Sequence, residues 1–167
     1  MATKRVERSG LSADQVGSAA LLLSKIGGMV DRRLSAALDA VELRPKHLGA
    51  LSLLCAHGGI SQQALGEGLG VDASAVVAIV DDLERDGLAR RERDPRDRRR
   101  HAIAVTSAGR ATLVHGHQVV AEVDDELFAG LTSREHTQLM GLLLRVAEVD
   151  PDLTRLIDAG AIGAPSS

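Results

Sequence analysis

Seven arginines stand between Arg90 and Arg100, against Glu92, Asp94 and Asp97, so this short stretch is formally +4 in a chain of net charge −3. The remainder of the molecule is therefore −7. An acidic body with one basic finger is the pattern expected of a site for a polyanion, because clustered guanidinium groups set the local potential whatever the total charge. Arg96, Arg98 and Arg99 are candidates to enter a minor groove, where narrow A·T-rich stretches deepen the negative potential. Arg91, Arg93 and Arg100 flank them and are expected to meet phosphates. Asp97 is out of place beside phosphates, and its expected role is to hold an arginine in one rotamer by a charge-assisted hydrogen bond. The bland alternative is a solvated charged loop.

A second group of residues lies just upstream. Ser61, Gln62 and Gln63 open a short helical segment, and their side chains and free backbone N–H groups suit a phosphate. Asp72 opens another, whose outward positions near the N-terminus are Ala73, Ser74, Ala75, Val77 and Ala78. Ser74 can bond a base edge or a phosphate, while the alanines offer only apolar contact, chiefly to thymine methyls. No Arg, Asn or Gln stands where a bidentate base contact would be made, so major-groove discrimination is expected to be weak or shape-based.

The elements that must position these residues are legible from caps, glycines and period. Ser12 and Gln15 form a capping-box pattern, after which Val16, Ala19, Leu23, Ile26, Val30, Leu34 and Leu38 recur at helical spacing. Gly27-Gly28 interrupts that helix at a cost of about 1 kcal/mol each. Pro45 opens the next helix and Gly58-Gly59 ends it, with Leu48, Leu51, Leu54 and Cys55 on its inner stripe. Ser61 and Asp72 cap two short helices separated by a tight turn at Gly70 and Val71, and Gly87 stops the second; that is a helix-turn-helix. Past Gly87 the period changes to strand type over Leu88–Arg93 and His101–Thr106, with an Asp94-Pro95 turn starter between them. The arginine finger is thus the tip of a hairpin. Thr106 caps a helix reaching about Gly130, and Thr132 with Glu135 forms a second capping box, ahead of Leu139, Leu142, Leu143 and Val146. Pro151 terminates that helix.

Composition sets the boundaries. The chain has 167 residues, enough for one domain, and Phe128 is its only aromatic residue, which counts against a base-stacking platform. Cys55 is the single cysteine and no intramolecular disulfide is available, so a reducing compartment is expected; Cys55 reads as a buried small apolar residue with no basic neighbourhood. No apolar run long enough to span a bilayer occurs and the N-terminus lacks a signal-peptide core, so the expected location is the cytoplasm, away from membranes. Residues 1–11 read as a flexible basic arm and 160–167 as a disordered tail. Catalysis is not expected, since neither a nucleophile elbow nor a phosphate-cradling glycine loop is present. No metal site or cofactor is expected either. His115 and His117, with Glu122, Asp124 and Asp125, lie on the fifth helix, but two residues apart they diverge, and His47, His57 and His136 are scattered. A metal-responsive regulator using that helix stands as the alternative function.

Taken together, the order of elements and the residues resemble the MarR family of bacterial transcriptional regulators over about residues 14–148. The most specific segment is GLARRERDPRDRRRHAIAVTSAGR (Gly87–Arg110), similar to the family wing pattern Asp-Pro-x-Asp-Arg-Arg, then strand, then Thr-x-x-Gly. ISQQALGEGLGVDASAVVAIVDDLERDGL (Ile60–Leu88) is similar to the family helix-turn-helix, although Ala75, Val77 and Ala78 stand where many members carry Thr, Thr and Arg. The resemblance implies a mainly α fold with a small β-hairpin wing. A winged helix-turn-helix lobe (45–106) would be joined to a dimerisation region built from the N- and C-terminal helices (12–42 and 107–159), all within a single domain of residues 12–159. It implies Arg99 as the minor-groove residue and Asp97 as its positioner. The partners implied are double-stranded DNA, a second copy of the chain, and a small-molecule effector.

Overall fold

The computed structural model describes residues 17–93 and 101–159. The order along them is α1 (Ala19–Asp39), α2 (Pro45–His57), α3 (Gln62–Leu69), α4 (Ala73–Arg85), β1 (Ala89–Arg93), β2 (His101–Val105), α5 (Ser107–Phe128), α6 (Ser133–Ala147) and α7 (Pro151–Asp158). The expected caps form: Ala64 N–H donates to Ser61 Oγ at 3.1 Å, Ala75 N–H to Asp72 Oδ1 at 2.8 Å, and Gly109 N–H to Thr106 Oγ1 at 3.0 Å. The Thr132–Glu135 capping box is complete in both directions. Each satisfies a backbone N–H that the first helical turn leaves without a partner.

The first described helix is capped at Ser18, whose Oγ accepts from Leu21 N–H at 3.4 Å, and the positive φ of Gly17, +66°, keeps α1 from extending back through that residue. The Ser12–Gln15 box, Val16 and the arm at 1–11 lie outside the described residues, as does the tail at 160–167. Gly27 and Gly28 pass through α1 without a break.

Helix α2 is the centre of the protomer. Ala50, Leu51, Leu53 and Leu54 are fully buried, and they meet Leu65 of α3, Val76, Val80 and Leu83 of α4, Ile103 of β2 and Leu113 of α5 in one core. β1 and β2 pair antiparallel with Ala89 opposite Val105 and Arg93 opposite His101. A third, one-residue strand escapes the sequence pattern: Ile60 exchanges both backbone hydrogen bonds with Ile103, at 3.1 and 2.8 Å. That pairing ties the entrance of α3 to the hairpin, so the wing and the helix-turn-helix form one packed unit.

Two glycines permit this closeness. A Cβ on Gly66 would sit 2.9 Å from Val76 Cγ2, which is how α3 and α4 approach at the turn. A Cβ on Gly109 would lie 2.0 Å from the Leu88 carbonyl oxygen and 2.8 Å from Val105 Cγ2. That same carbonyl accepts from Thr106 N–H at 3.0 Å, so it cannot move away freely. Gly109→Ala is therefore expected to lower stability by about 2–4 kcal/mol, by overpacking against backbone. A denaturant titration checks it: an unchanged midpoint would show that the wing base yields.

Outside the core the picture inverts. On α1, Leu21 (67% exposed), Leu22, Leu23 and Ile26 face solvent; on α6, Met140, Leu142 (49%), Leu143, Leu144 and Val146 (58%) do the same. No single helix among the described residues is long and apolar enough to cross a membrane.

Candidate nucleic-acid interface

The first turn of α4 is exposed and built around Asp72. Besides capping Ala75, the Asp72 carboxylate accepts from Ser74 Oγ at 2.6 Å, and these bonds, with the Ser74 hydroxyl first, hold it below the usual carboxylate range. The Ser74 proton is thus committed within the protein, and its oxygen lone pairs are what face outward. Ala73, Val77 and Ala78 are exposed beside it, and Ala75 is half-buried. At the start of α3, Ser61 Oγ accepts from Ala64 and keeps its own proton for an acceptor, while Gln63 Nε2 donates to Glu67 Oε1 at 3.0 Å. Gln62 is half-buried.

The acidic groups on the second half of α4 would repel a duplex if left bare. Each is matched to a cation. Asp82 is bound by Arg85 at 2.8 Å, with Arg44 at 3.7 Å and His47 Nε2 at 3.4 Å, and the Arg85 hydrogen bond is the main reason its carboxyl lies below its ordinary value. Arg85 also reaches Asp86 at 3.2 Å. His47 itself is buried, and that burial holds it below an ordinary imidazole pKa despite Asp82.

The remaining pair, Asp81 and Glu84, holds Arg91. Arg91 Nη2 donates to Asp81 Oδ1 at 2.7 Å, Nη1 binds Glu84 Oε2, and the Arg91 backbone N–H donates to Glu84 Oε1 at 2.6 Å. Sequence reasoning put Arg91 at a phosphate; in the DNA-free protomer its guanidinium is engaged by two carboxylates of α4, which ties β1 to that helix. The clue was present in the seven-residue separation of Glu84 and Arg91 across the Gly87 turn, but helical and strand periods do not report on a contact between unlike elements. Glu84→Ala is expected to lower stability by about 1 kcal/mol, since both partners are partly solvated. It should also weaken duplex binding by loosening the wing. Thermal melting and a binding titration check both effects, and loss of neither would mean that the clamp is idle.

Arg90, on the other face of β1, pairs with Glu92 at 3.0 Å, and Arg93 closes the strand. The wing-tip candidates Arg96, Asp97, Arg98, Arg99 and Arg100 lie outside the described residues.

The histidines do not converge. His117 Nε2 lies 3.5 Å from Ser52 Oγ and is shifted below its usual pKa by burial. His115 borders the α1–α5 clefts, while His136 lies 3.3 Å from Asp124 and against the Phe128 ring. No group of three or more His, Cys, Asp or Glu able to hold a metal occurs among the described residues. The expectation for Cys55 needs correcting: it is only half-buried, and Arg110 Nη1 reaches its Sγ at 3.6 Å, so the neighbourhood is basic after all. The two residues are 55 apart in sequence, beyond any local signal.

Comparison with known proteins follows the same lines as the geometry. A sequence profile of the MarR family matches residues 42–100. A Thauera aromatica protein named for regulation of the hcr operon is 35% identical over 108 residues, which span 65% of this chain and 65% of that protein. Among solved structures, a MarR-family transcriptional regulator from Rhodococcus sp. RHA1 superposes with a TM-score of 0.67 at 31% identity, covering 83% of this chain and 97% of that one. CouR from Rhodococcus jostii RHA1, solved with p-coumaroyl-CoA bound, gives 0.65 at 32% identity, covering 83% and 95%.

Proposed function

The chain belongs to the MarR family of winged helix-turn-helix transcriptional regulators, and on that premise we propose that it acts in the cytoplasm as a homodimeric repressor on a pseudo-palindromic operator. In this reading residues 12–42 and 107–159 supply the dimer interface and 45–106 the DNA-binding lobe. The N-terminal turn of α4 enters the major groove through Ala73, Ser74, Ala75, Val77 and Ala78. Ser61, Gln62 and Gln63 meet the phosphate backbone ahead of it. Arg96, Arg98 and Arg99 occupy the neighbouring minor groove with Asp97 as positioner, and Arg93 and Arg100 meet phosphates. Arg91 serves by clamping the wing.

The observation that carries this reading is that clamp. Arg91, gripped by Asp81 and Glu84, fixes the base of a basic hairpin to the helix that would read the bases, so major-groove and minor-groove contacts keep a constant offset. A small-molecule effector fits the same reading; the similar CouR structure holds p-coumaroyl-CoA. Selection of bound fragments from genomic DNA tests the proposal: enrichment of inverted repeats with half-sites about one helical turn apart is expected. Recovery of fragments without a shared repeat would contradict it.

A further inference from the structure

Helix α7 folds back onto the helix-turn-helix of its own chain. Leu153, Leu156 and Ile157, spaced three and four apart on one face, are half-buried, whereas Asp152, Arg155 and Asp158 are exposed. The Leu156 methyl groups lie 3.7 Å from where a Cβ on Gly70 would stand, so the contact uses the bare backbone of the turn between α3 and α4. Beside it, Asp152 and Arg155 form one wall of an open cleft whose other wall carries Gln62, Gln63, Ala73 and Val77. Those four are residues assigned above to phosphate and base contacts.

Two properties make α7 a movable cover. Its first turn is closed from within, because Asp150 Oδ1 accepts from Asp152 N–H at 2.8 Å and from Leu153 N–H at 3.2 Å, and Pro151 presets the backbone. That cap travels with the helix. α7 also buries no residue fully, and only residues 148–150 join it to α6, so undocking gives up a shallow apolar contact and leaves the core closed. The charges of the docked helix do not suit a duplex. Asp152 neutralises Arg155, the one cation in the cleft wall, and Glu67 adds a further negative charge beside the phosphate-facing end of α3.

We propose that α7 is an autoinhibitory strap. Docked, it occupies the flank on which a duplex seats against α3 and the first turn of α4; the duplex binds when α7 swings away. The strap rests on the DNA-binding reading above and sets how much of that surface is open. A docked population of about 90% lowers the apparent affinity about tenfold, because binding draws only on the open fraction.

The full-length variant Leu156→Gln tests it, since glutamine keeps the net charge while removing the apolar anchor. It should bind the selected operator duplex about threefold to tenfold more tightly than the wild-type chain. Hydrogen exchange reads the strap itself. The backbone amides of residues 153–158 should exchange faster in the free variant than in the free wild type, and faster in the wild type once duplex is added. Equal or weaker duplex binding by the variant, which would make α7 a support of the helix-turn-helix, overturns the strap. So does a wild-type complex in which those amides exchange no faster than in the free chain. The strap fails with duplex binding intact; failure of the DNA-binding reading has a different signature, no duplex bound by either chain.

Discussion

Leu142→Asp combined with Val146→Asp should yield a monomeric protein whose operator affinity is lower by about 10²–10⁴-fold. The two side chains are four residues apart and share one face of α6, where they are 49% and 58% exposed in the protomer. With Met140, Leu143 and Leu144 on α6 and Leu21, Leu22, Leu23 and Ile26 on α1, they form an apolar surface that a lone soluble protomer would not keep open to water. In the proposed dimer a second copy related by a two-fold axis would cover it, and the same axis would set the two helix-turn-helix units to meet successive turns of one groove. Two carboxylates inside that contact would each be desolvated without a partner, which costs more than an apolar contact supplies. The protomer core would survive, because neither residue belongs to it. What disappears is the intramolecular second binding event, hence the large loss of affinity without any change in the DNA-contacting side chains. Sedimentation equilibrium and a duplex titration read the two effects; a stable dimer in the double variant would place the interface elsewhere.

The next largest effect is expected at the wing. Arg99→Ala should weaken operator binding by about 1–3 kcal/mol per wing and flatten the preference for A·T pairs beside each half-site. The reason is the make-up of α4. Its outward face offers alanines, a valine and a serine already bonded to Asp72, so little base discrimination can come from the major groove. In the proposed reading, specificity comes from groove shape read by an arginine. Asp97→Asn, which keeps the size but loses the charge, should give a smaller loss in the same direction. Equal affinity of Arg99→Ala for A·T-flanked and G·C-flanked sites is the expected signature, and wild-type affinity would contradict the assignment.

Much of this fold is written locally in the sequence. Ser61, Asp72, Thr106 and the Thr132–Glu135 pair cap helices as their types and spacing indicate, because a cap is settled within four residues. The start of α1 was less legible. The continuous apolar spacing across Gly17 gives no local sign of its positive φ, which sets the cap of α1 at Ser18. What the sequence conceals are contacts between elements of unlike period: Ile60 pairing with Ile103, Glu84 and Asp81 seizing Arg91, Arg110 beside Cys55, and α7 folded back on α3. None repeats at a helical or strand interval, so no pattern announces them. The basic finger, by contrast, was visible from charge alone, and the structure supplies its anchor rather than its tip.

The central claim is that two copies of this chain clasp one duplex through helix and wing together. Titration of a selected operator duplex, followed by anisotropy over a range of salt, tests it most directly. The account predicts two chains per duplex, and log K falling linearly with log salt at a slope of about −0.9 for each phosphate neutralised. One chain per duplex, or a salt-independent affinity no greater than that for scrambled competitor, would contradict it.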